Sequence, residues 1–308
     1  MGTPEIVVVG SYAAGLTMKT RRFPVPGETV IGTDYKALHG GKGSNQAVGC
    51  ARHGVIVHFI ACVGDDSYGR SALELYKSEN VEISGIQVLT GTPTGVGFIM
   101  VNENGENEIA IDFGANNNLS PRHIETNREL FEKSNVLLMQ MEIPILPIQA
   151  AIDMAKKTNT FSILNPAPYQ PLPDTYISAV SLITPNETEA RLILGLAPDL
   201  SAEPSELGRA LQKKGINRSI ITLGKRGLHI TEGEKSERIE AFHVETVDTT
   251  GAGDAFTSAL GVALGSGADL KEAAVFAAAA AALSTTRYGV IESLPTKAET
   301  KNFLTGRS

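Results

Sequence analysis

Asp248-Thr249-Thr250-Gly251-Ala252-Gly253-Asp254, followed at once by the apolar run Ala255 to Leu264, is a tight turn that feeds straight into a helix. Three small residues open that helix between two carboxylates. The first N–H groups of a helix have no acceptor within it, so they point outward, and Asp254 stands beside them on the first turn. An anion can be held there next to a base. Phosphoryl transfer to an alcohol needs both, because charge builds on the moving phosphoryl oxygens while the attacking hydroxyl loses its proton. Asp254 is the candidate base. Taken alone, the stretch also has a plainer meaning, in which Asp254 complements the helix dipole and Asp248 satisfies a turn.

Outward from this turn, short β-branched runs bounded by Gly, Asn or Pro recur at Ile6 to Val9, Val55 to Val63, Val136 to Met141, Phe161 to Leu164, Val180 to Ile183 and Ser219 to Leu223. Helical patterns fall between them at Gly43 to His53, Ser67 to Glu79, Ile145 to Lys157, Glu187 to Leu194 and Ser205 to Lys214. Such alternation predicts an α/β fold with a mostly parallel central sheet and helices on both faces. One domain over residues 1–308 is expected.

Two segments break the alternation. Thr94 to Val101 and Glu108 to Phe113 are strand-like and flank Asn104-Gly105, a type I′ hairpin signal. Glu28 to Leu38 is also strand-like. Together they predict a small antiparallel β sheet over about 12–38 and 92–113, either a lid or an edge hairpin without function. The loop Asn165-Pro166-Ala167-Pro168 to Pro173 follows a strand, at the sheet edge where open α/β folds bind ligands.

Bulk properties narrow the function. The formal charge of −7 and the lack of a basic cluster interleaved with aromatics exclude a nucleic-acid partner. No apolar run reaches membrane-spanning length, so no membrane partner is expected. Cys50 and Cys62 are too few for a disulfide framework, and a cytoplasmic setting follows. None of the six histidines has metal-ligand spacing.

Gly40-Gly41-Lys42-Gly43-Ser44-Asn45-Gln46 joins the lid-like strand to a helix. A Walker A loop is rejected, because Lys36 stands where its first glycine belongs and Gly43 where Ser or Thr should follow Lys42. What remains is a backbone that approaches a ligand closely, with Asn45 able to donate and accept hydrogen bonds, which suits a polyol. Gly10 and Gly15 lack dinucleotide-fingerprint spacing. Asn186 with Glu189 reads as a capping box, and Thr222 to Gly227 as a hairpin or one wall of a nucleotide groove.

These residues resemble the ribokinase family, the PfkB-type carbohydrate kinases, over essentially the whole chain. Gly40 to Gln46 is similar to its N-terminal signature and Asp248 to Asp254 to its C-terminal one. Further matches are Met139-Gln140-Met141-Glu142, Asn165 to Pro168, Pro185 to Glu189 and Thr222 to Gly227. The resemblance implies transfer of a phosphoryl group from ATP to the terminal hydroxymethyl group of a sugar, with D-ribose going to D-ribose 5-phosphate as the first expectation. It makes Asp254 the base and Gly251, Ala252 and Gly253 the anion hole. Gly41, Lys42, Asn45 and Glu142, with the positions of Ala13 and Gly15, fall on the sugar side. Asn186, Thr222, Gly224, Gly227 and Gly253 fall on the nucleotide side. Glu189 matches a residue that helps hold Mg²⁺ through water. Asp248, Thr250, Ser284, Arg287, Gly289 and Ser293 match a monovalent cation site, implying K⁺ activation. A homodimer through the lid is also implied.

The chain departs from that pattern after its first strand. Family members acting on ribose read Gly-Ser-x-Asn-x-Asp, whereas this one reads Gly10-Ser11-Tyr12-Ala13-Ala14-Gly15. Two polar groups are gone, a loss of about 1.5–3 kcal/mol for a charged hydrogen bond in a buried site. A larger or less hydroxylated substrate, a replacement by water or another side chain, and weak ribose binding all fit. Another sugar, a polyol or a nucleoside is therefore an alternative acceptor, and a sensor with little turnover an alternative of another class. Lys19, Arg21 and Arg22 would either attract an anionic sugar or form a solvated face.

Overall fold

The computed structural model describes residues 2–306. Its first eight strands are β1 (Glu5–Val9), β2 (Ala13–Thr20), β3 (Gly32–Gly40), β4 (Ile56–Gly64), β5 (Val81–Glu82), β6 (Ile86–Leu89), β7 (Val96–Val101) and β8 (Asn107–Asp112). Then come β9 (Val136–Met139), β10 (Phe161–Leu164), β11 (Leu182–Ile183), β12 (Arg218–Thr222), β13 (Leu228–Glu232) and β14 (Lys235–Ile239). The helices are α1 (Lys42–Arg52), α2 (Ser67–Ser78), α3 (Pro121–Thr126), α4 (Arg128–Lys133), α5 (Ile145–Thr158) and α6 (Asp174–Ile177). They continue as α7 (Glu187–Ile193), α8 (Pro204–Lys213), α9 (Ala252–Gly265), α10 (Leu270–Ser284) and α11 (Lys297–Thr305).

The large sheet runs β14-β13-β12-β11-β10-β9-β1-β4-β5, with β6 also on β4. It is parallel apart from the terminal β12-β13-β14 meander. Period-two side chains explain why β1 is apolar throughout. Ile6 and Val8 enter the core beneath α1, α2, α9 and α10, while Val7 and Val9 enter the core beneath α3 to α8. Each such side chain is fully buried, worth about 1.5–3 kcal/mol. The alanine stretch of α10 is buried beside α9, where small side chains let the two axes come close.

From β1 the chain leaves toward β4 on one side and later returns to β9 on the other. Their C-terminal ends therefore border a topological switch point, where a crevice opens. Ser11, Glu142, Asn165, Asn186 and Thr222 all lie at or just past the C-terminal ends of parallel strands.

The second sheet has the order β3-β2-β7-β8. Its β2–β3 and β7–β8 pairings are antiparallel and its central β2–β7 pairing is parallel. β7 and β8 fall where alternation predicts them, but the strand expected over 28–38 is shifted to Gly32–Gly40, and Ile31 is 93% exposed. β2 is not visible in the sequence pattern, because Ala13 to Thr20 holds no β-branched run and its extended form is imposed by neighbours on both sides. The connection between β7 and β8 is not type I′, which needs two left-handed residues. Only Gly105 has positive φ there (79°), after a turn in which its N–H donates to the Asn102 carbonyl at 3.0 Å. The Asn102 side chain also accepts from the N–H groups of Asn104 and Glu106, which favours this wider loop. The strand expected from Val180 is reduced to Leu182–Ile183. Cys50 and Cys62 are free and buried. No helix among the described residues is long and apolar enough to cross a membrane.

Candidate active site

Gly251, at φ 79°, turns the chain into α9, and the Val290 side chain stands where its Cβ would project. Only glycine fits both demands. Of the amides at this N-terminus, that of Ala252 reaches the Thr249 carbonyl at 3.3 Å and that of Asp254 the Gly251 carbonyl at 3.0 Å. The amides of Gly251 and Gly253 have no partner among the described residues.

Asp254 does not stand open. It is 4% exposed, its Oδ2 accepting from the Asn45 side-chain Nδ2 at 2.8 Å and its Oδ1 from the Gln46 side-chain Nε2 at 2.9 Å. Gln140 in turn donates to Gln46 Oε1 at 2.6 Å. Two donors still leave each carboxylate oxygen a lone pair. The carboxylate is thus clamped between α1 and α9, elements about two hundred residues apart in sequence.

The clamp depends on how α1 begins. Gly41, at φ 89°, lies against the backbone of Tyr12 and Ala13 and supplies no side-chain cap. Glu142, just beyond β9, caps instead: its Oε2 accepts from the Lys42 amide at 2.8 Å and from the Ser11 hydroxyl at 2.6 Å. The Ser11 carbonyl takes the Ser44 amide at 2.8 Å. Lys42 itself is half-buried among acids. Asp254 raises its pKa most, burial opposes this, and Glu142 and Glu189 add to the rise, so the ammonium stays charged.

On the other side of α9, Asn186 and Thr222 are bridged through parallel pairing, and the Thr222 amide donates to the Pro185 carbonyl at 2.9 Å. Asn186 and Glu189 form the reciprocal capping box that their spacing predicts, at 2.8 Å in both directions. Burial pushes the Glu189 carboxyl pKa up, against the Asn186 amide and Lys42. Lys42, Asn165, Thr184, Glu189, Gly253 and Thr257 line a recess of about 120 Å³. In it the buried Thr184 and Thr257 hydroxyls have no hydrogen-bond partner. A cleft of about 410 Å³ adjoins it, walled by Thr222, Gly224, Gly227, Ala252, Gly253 and Phe256, with Ala278, Ala281 and Ala282 of α10 opposite.

The segment 284–293 lies against the start of α9. Asp248 Oδ1 accepts from the Thr250 amide and hydroxyl at 2.9 and 2.7 Å, and Oδ2 from the Gly289 amide at 3.2 Å. Asp248, Thr250 and Gly289 are therefore joined. The Ser284 and Ser293 hydroxyls bond the carbonyls of Ala281 and Val290, and the Arg287 guanidinium turns away to Glu299. On the sugar side, Ala13 and Gly15 lie on β2, paired with Gly40 and Leu38. Lys19, Arg21 and Arg22 do not reach toward a substrate, since each pairs with a carboxylate, Asp34, Glu103 and Glu28 respectively. Gln46, Gln140 and Ser11 were missed as single residues. Gln46 follows Asn45 directly and Gln140 precedes Glu142 by two, so their only sequence signal is adjacency to those two residues.

The family model described as pfkB family carbohydrate kinase matches residues 3–297. A ribokinase of Haemophilus influenzae is 38% identical over 97% of this chain and 98% of its own. A deoxyribokinase of Salmonella typhi is 32% identical, covering 97% and 98%. The structure of Arabidopsis thaliana ribokinase complexed with ribose and ATP superposes with a TM-score of 0.91 and 30% identity over 99% of both chains. A clamped carboxylate at a glycine-rich helix start, a half-buried lysine among acids and full-length similarity to sugar kinases agree. The chain belongs to the pfkB family of carbohydrate kinases.

Proposed function

We propose that this protein is a ribokinase-like enzyme that transfers the terminal phosphoryl group of ATP to the hydroxymethyl group of a pentose, with D-ribose as the reference substrate. The observation that carries this reading is the Asp254 carboxylate, clamped by Asn45 and Gln46 beside two unpartnered glycine amides and a charged lysine. The sugar hydroxyl meets Asp254, which accepts its proton late, as the new P–O bond forms, because a carboxylate is too weak a base to remove it beforehand. The Gly251 and Gly253 amides receive phosphoryl oxygens on which charge accumulates, and Lys42 balances that charge. The nucleotide occupies the 410 Å³ cleft, its base against the alanine wall of α10.

Mg²⁺ would neutralise phosphate charge when bound. Its fit rests on the oxygen-rich recess, where Glu189 and the unpartnered Thr184 and Thr257 hydroxyls suit a hard cation that keeps its waters. Among the described residues no group of three His, Cys, Asp or Glu could form an all-protein cage. A monovalent cation would be held by carbonyls of Asp248, Thr250, Ser284, Arg287, Gly289 and Ser293. In support, Asp248 already draws Thr250 and Gly289 together, and Val290 of the same segment touches Gly251. Among the described residues, seven of the thirteen exposed large apolar side chains lie in lid segments, Met18 and Phe98 among them, which supports a homodimer through the lid. Buried free thiols suit the reducing cytoplasm.

A coupled assay of ADP release over pentoses, hexoses, polyols and nucleosides, with and without K⁺, tests the reading. Turnover with a pentose, stimulated by K⁺, is expected, together with a dimer in sedimentation at micromolar concentration. ADP release with none of these acceptors would overturn the kinase assignment, nucleosides alone would reassign the acceptor, and a monomer would remove the assembly.

A further inference from the structure

One face of the lid is marked as the site side by its contacts. Tyr12 and Ala14 are buried, and the Tyr12 ring packs edge-on to Tyr76 of α2 at 6.2 Å, so alternation turns Ala13 and Gly15 the other way. Leu38 pairs with Gly15 and shares that face. Two residues along β3, the Lys36 ammonium lies 5.0 Å over the Tyr288 ring, in the segment whose Val290 meets Gly251. The face of Gly15 and Leu38 therefore looks toward the turn that carries Asp254.

Across this face the register runs Leu38, Gly15, Gly97, Ile111. Neither glycine has positive φ. A Cβ on Gly15 would meet only the Ile99 Cδ1 at 3.7 Å and the Leu38 carbonyl at 3.8 Å, and one on Gly97 only the Ile111 Cγ1 at 3.8 Å. These are ordinary contacts, so neither backbone nor packing demands glycine. Glycine weakens a strand, and what the adjacent pair provides is room for a ligand to approach. The hollow is floored by Gly15 and Gly97 and walled by the hydrocarbon side chains of Leu38, Ile99 and Ile111, the last 52% exposed. The polar side chains nearest it on this face are Thr17, which is buried, and Lys36, held over Tyr288. A hydroxyl pressed against the hollow would displace water from it and find no side-chain partner there.

Resting on the sugar-kinase reading, we infer that the sugar edge seated under the lid carries no hydroxyl, and that the preferred acceptor is a deoxypentose. The hydroxymethyl end is fixed at Asp254, so the remote ring carbons meet the hollow. The test compares kcat/KM for D-ribose, 2-deoxy-D-ribose and 3-deoxy-D-ribose in the wild type and in Gly15→Asp. At least one deoxypentose should exceed ribose by about tenfold, the scale of one unpaired buried hydroxyl. Gly15→Asp, for which the space is open, should shift the ratio toward ribose by a similar factor. Ile99→Asn, which brings a polar group from the opposite wall, serves the same purpose if Gly15→Asp does not fold. Ribose preferred over both deoxypentoses, or a ratio unchanged by the variant that folds, overturns the inference while leaving the kinase intact. No ADP release with any pentose would count against the pentose-kinase reading on which the inference rests.

Discussion

Lys42 holds the most crowded electrostatic position in the site. Its ammonium is half-buried with Asp254, Glu142 and Glu189 around it, and the acids outweigh the cost of desolvation. Removing it leaves three carboxylates facing incoming phosphates without a counter-charge. Lys42→Met is therefore expected to lower kcat by about 10²-fold, on the scale of losing one preorganised stabilising group, while α1 still starts normally because Glu142 caps the Lys42 backbone amide and not its side chain. Steady-state kinetics with a thermal melt separates the two effects. An unchanged kcat would contradict the role. At this scale the sequence showed Asp254, Lys42 and Asn45 because each sits in a short local signal. It hid the clamp, since a bond from Gln46 on α1 to Asp254 on α9 has no local signature.

Elements carry the site by their ends. α1 begins on Glu142 and Ser11 and ends at His53, whose Nδ1 lies 2.7 Å from the Gly49 carbonyl and whose Nε2 lies 3.3 Å from the Thr300 hydroxyl of α11. Burial lowers the His53 pKa most, with Lys297 acting in the same direction. A histidine whose folded pKa lies below its unfolded value of about 6.5 binds more protons unfolded, so its contribution is present above that value and is lost as pH falls below it. His39, His123 and His229 are shifted the same way. The melting temperature should fall between pH 7.5 and 5.5, and His53→Gln should be less stable at pH 7.5, by about 1 kcal/mol, yet less sensitive to acid. An identical pH slope in the variant would contradict this. Long periodic elements such as α1, α5 and α8 were legible to within a residue or two. β2 was not, because its extended form comes from β3 and β7 and not from Ala13 to Thr20 themselves.

Over the whole molecule, the parallel sheet brings five strand ends to one crevice, and the turn that opens α9 joins it from the far end of the chain. The alternation of strands and helices made the sheet readable, because buried parallel strands must be apolar on both faces. Which residues meet across the crevice was not readable, since that depends on strand order. The central claim is that the carboxylate held between α1 and α9 accepts the proton of the sugar alcohol. Its most direct test is Asp254→Asn, assayed for turnover and, by calorimetry, for sugar and nucleotide binding. The account predicts a loss of about 10²–10⁴-fold in kcat with the fold and both affinities kept, and near-normal turnover would contradict it.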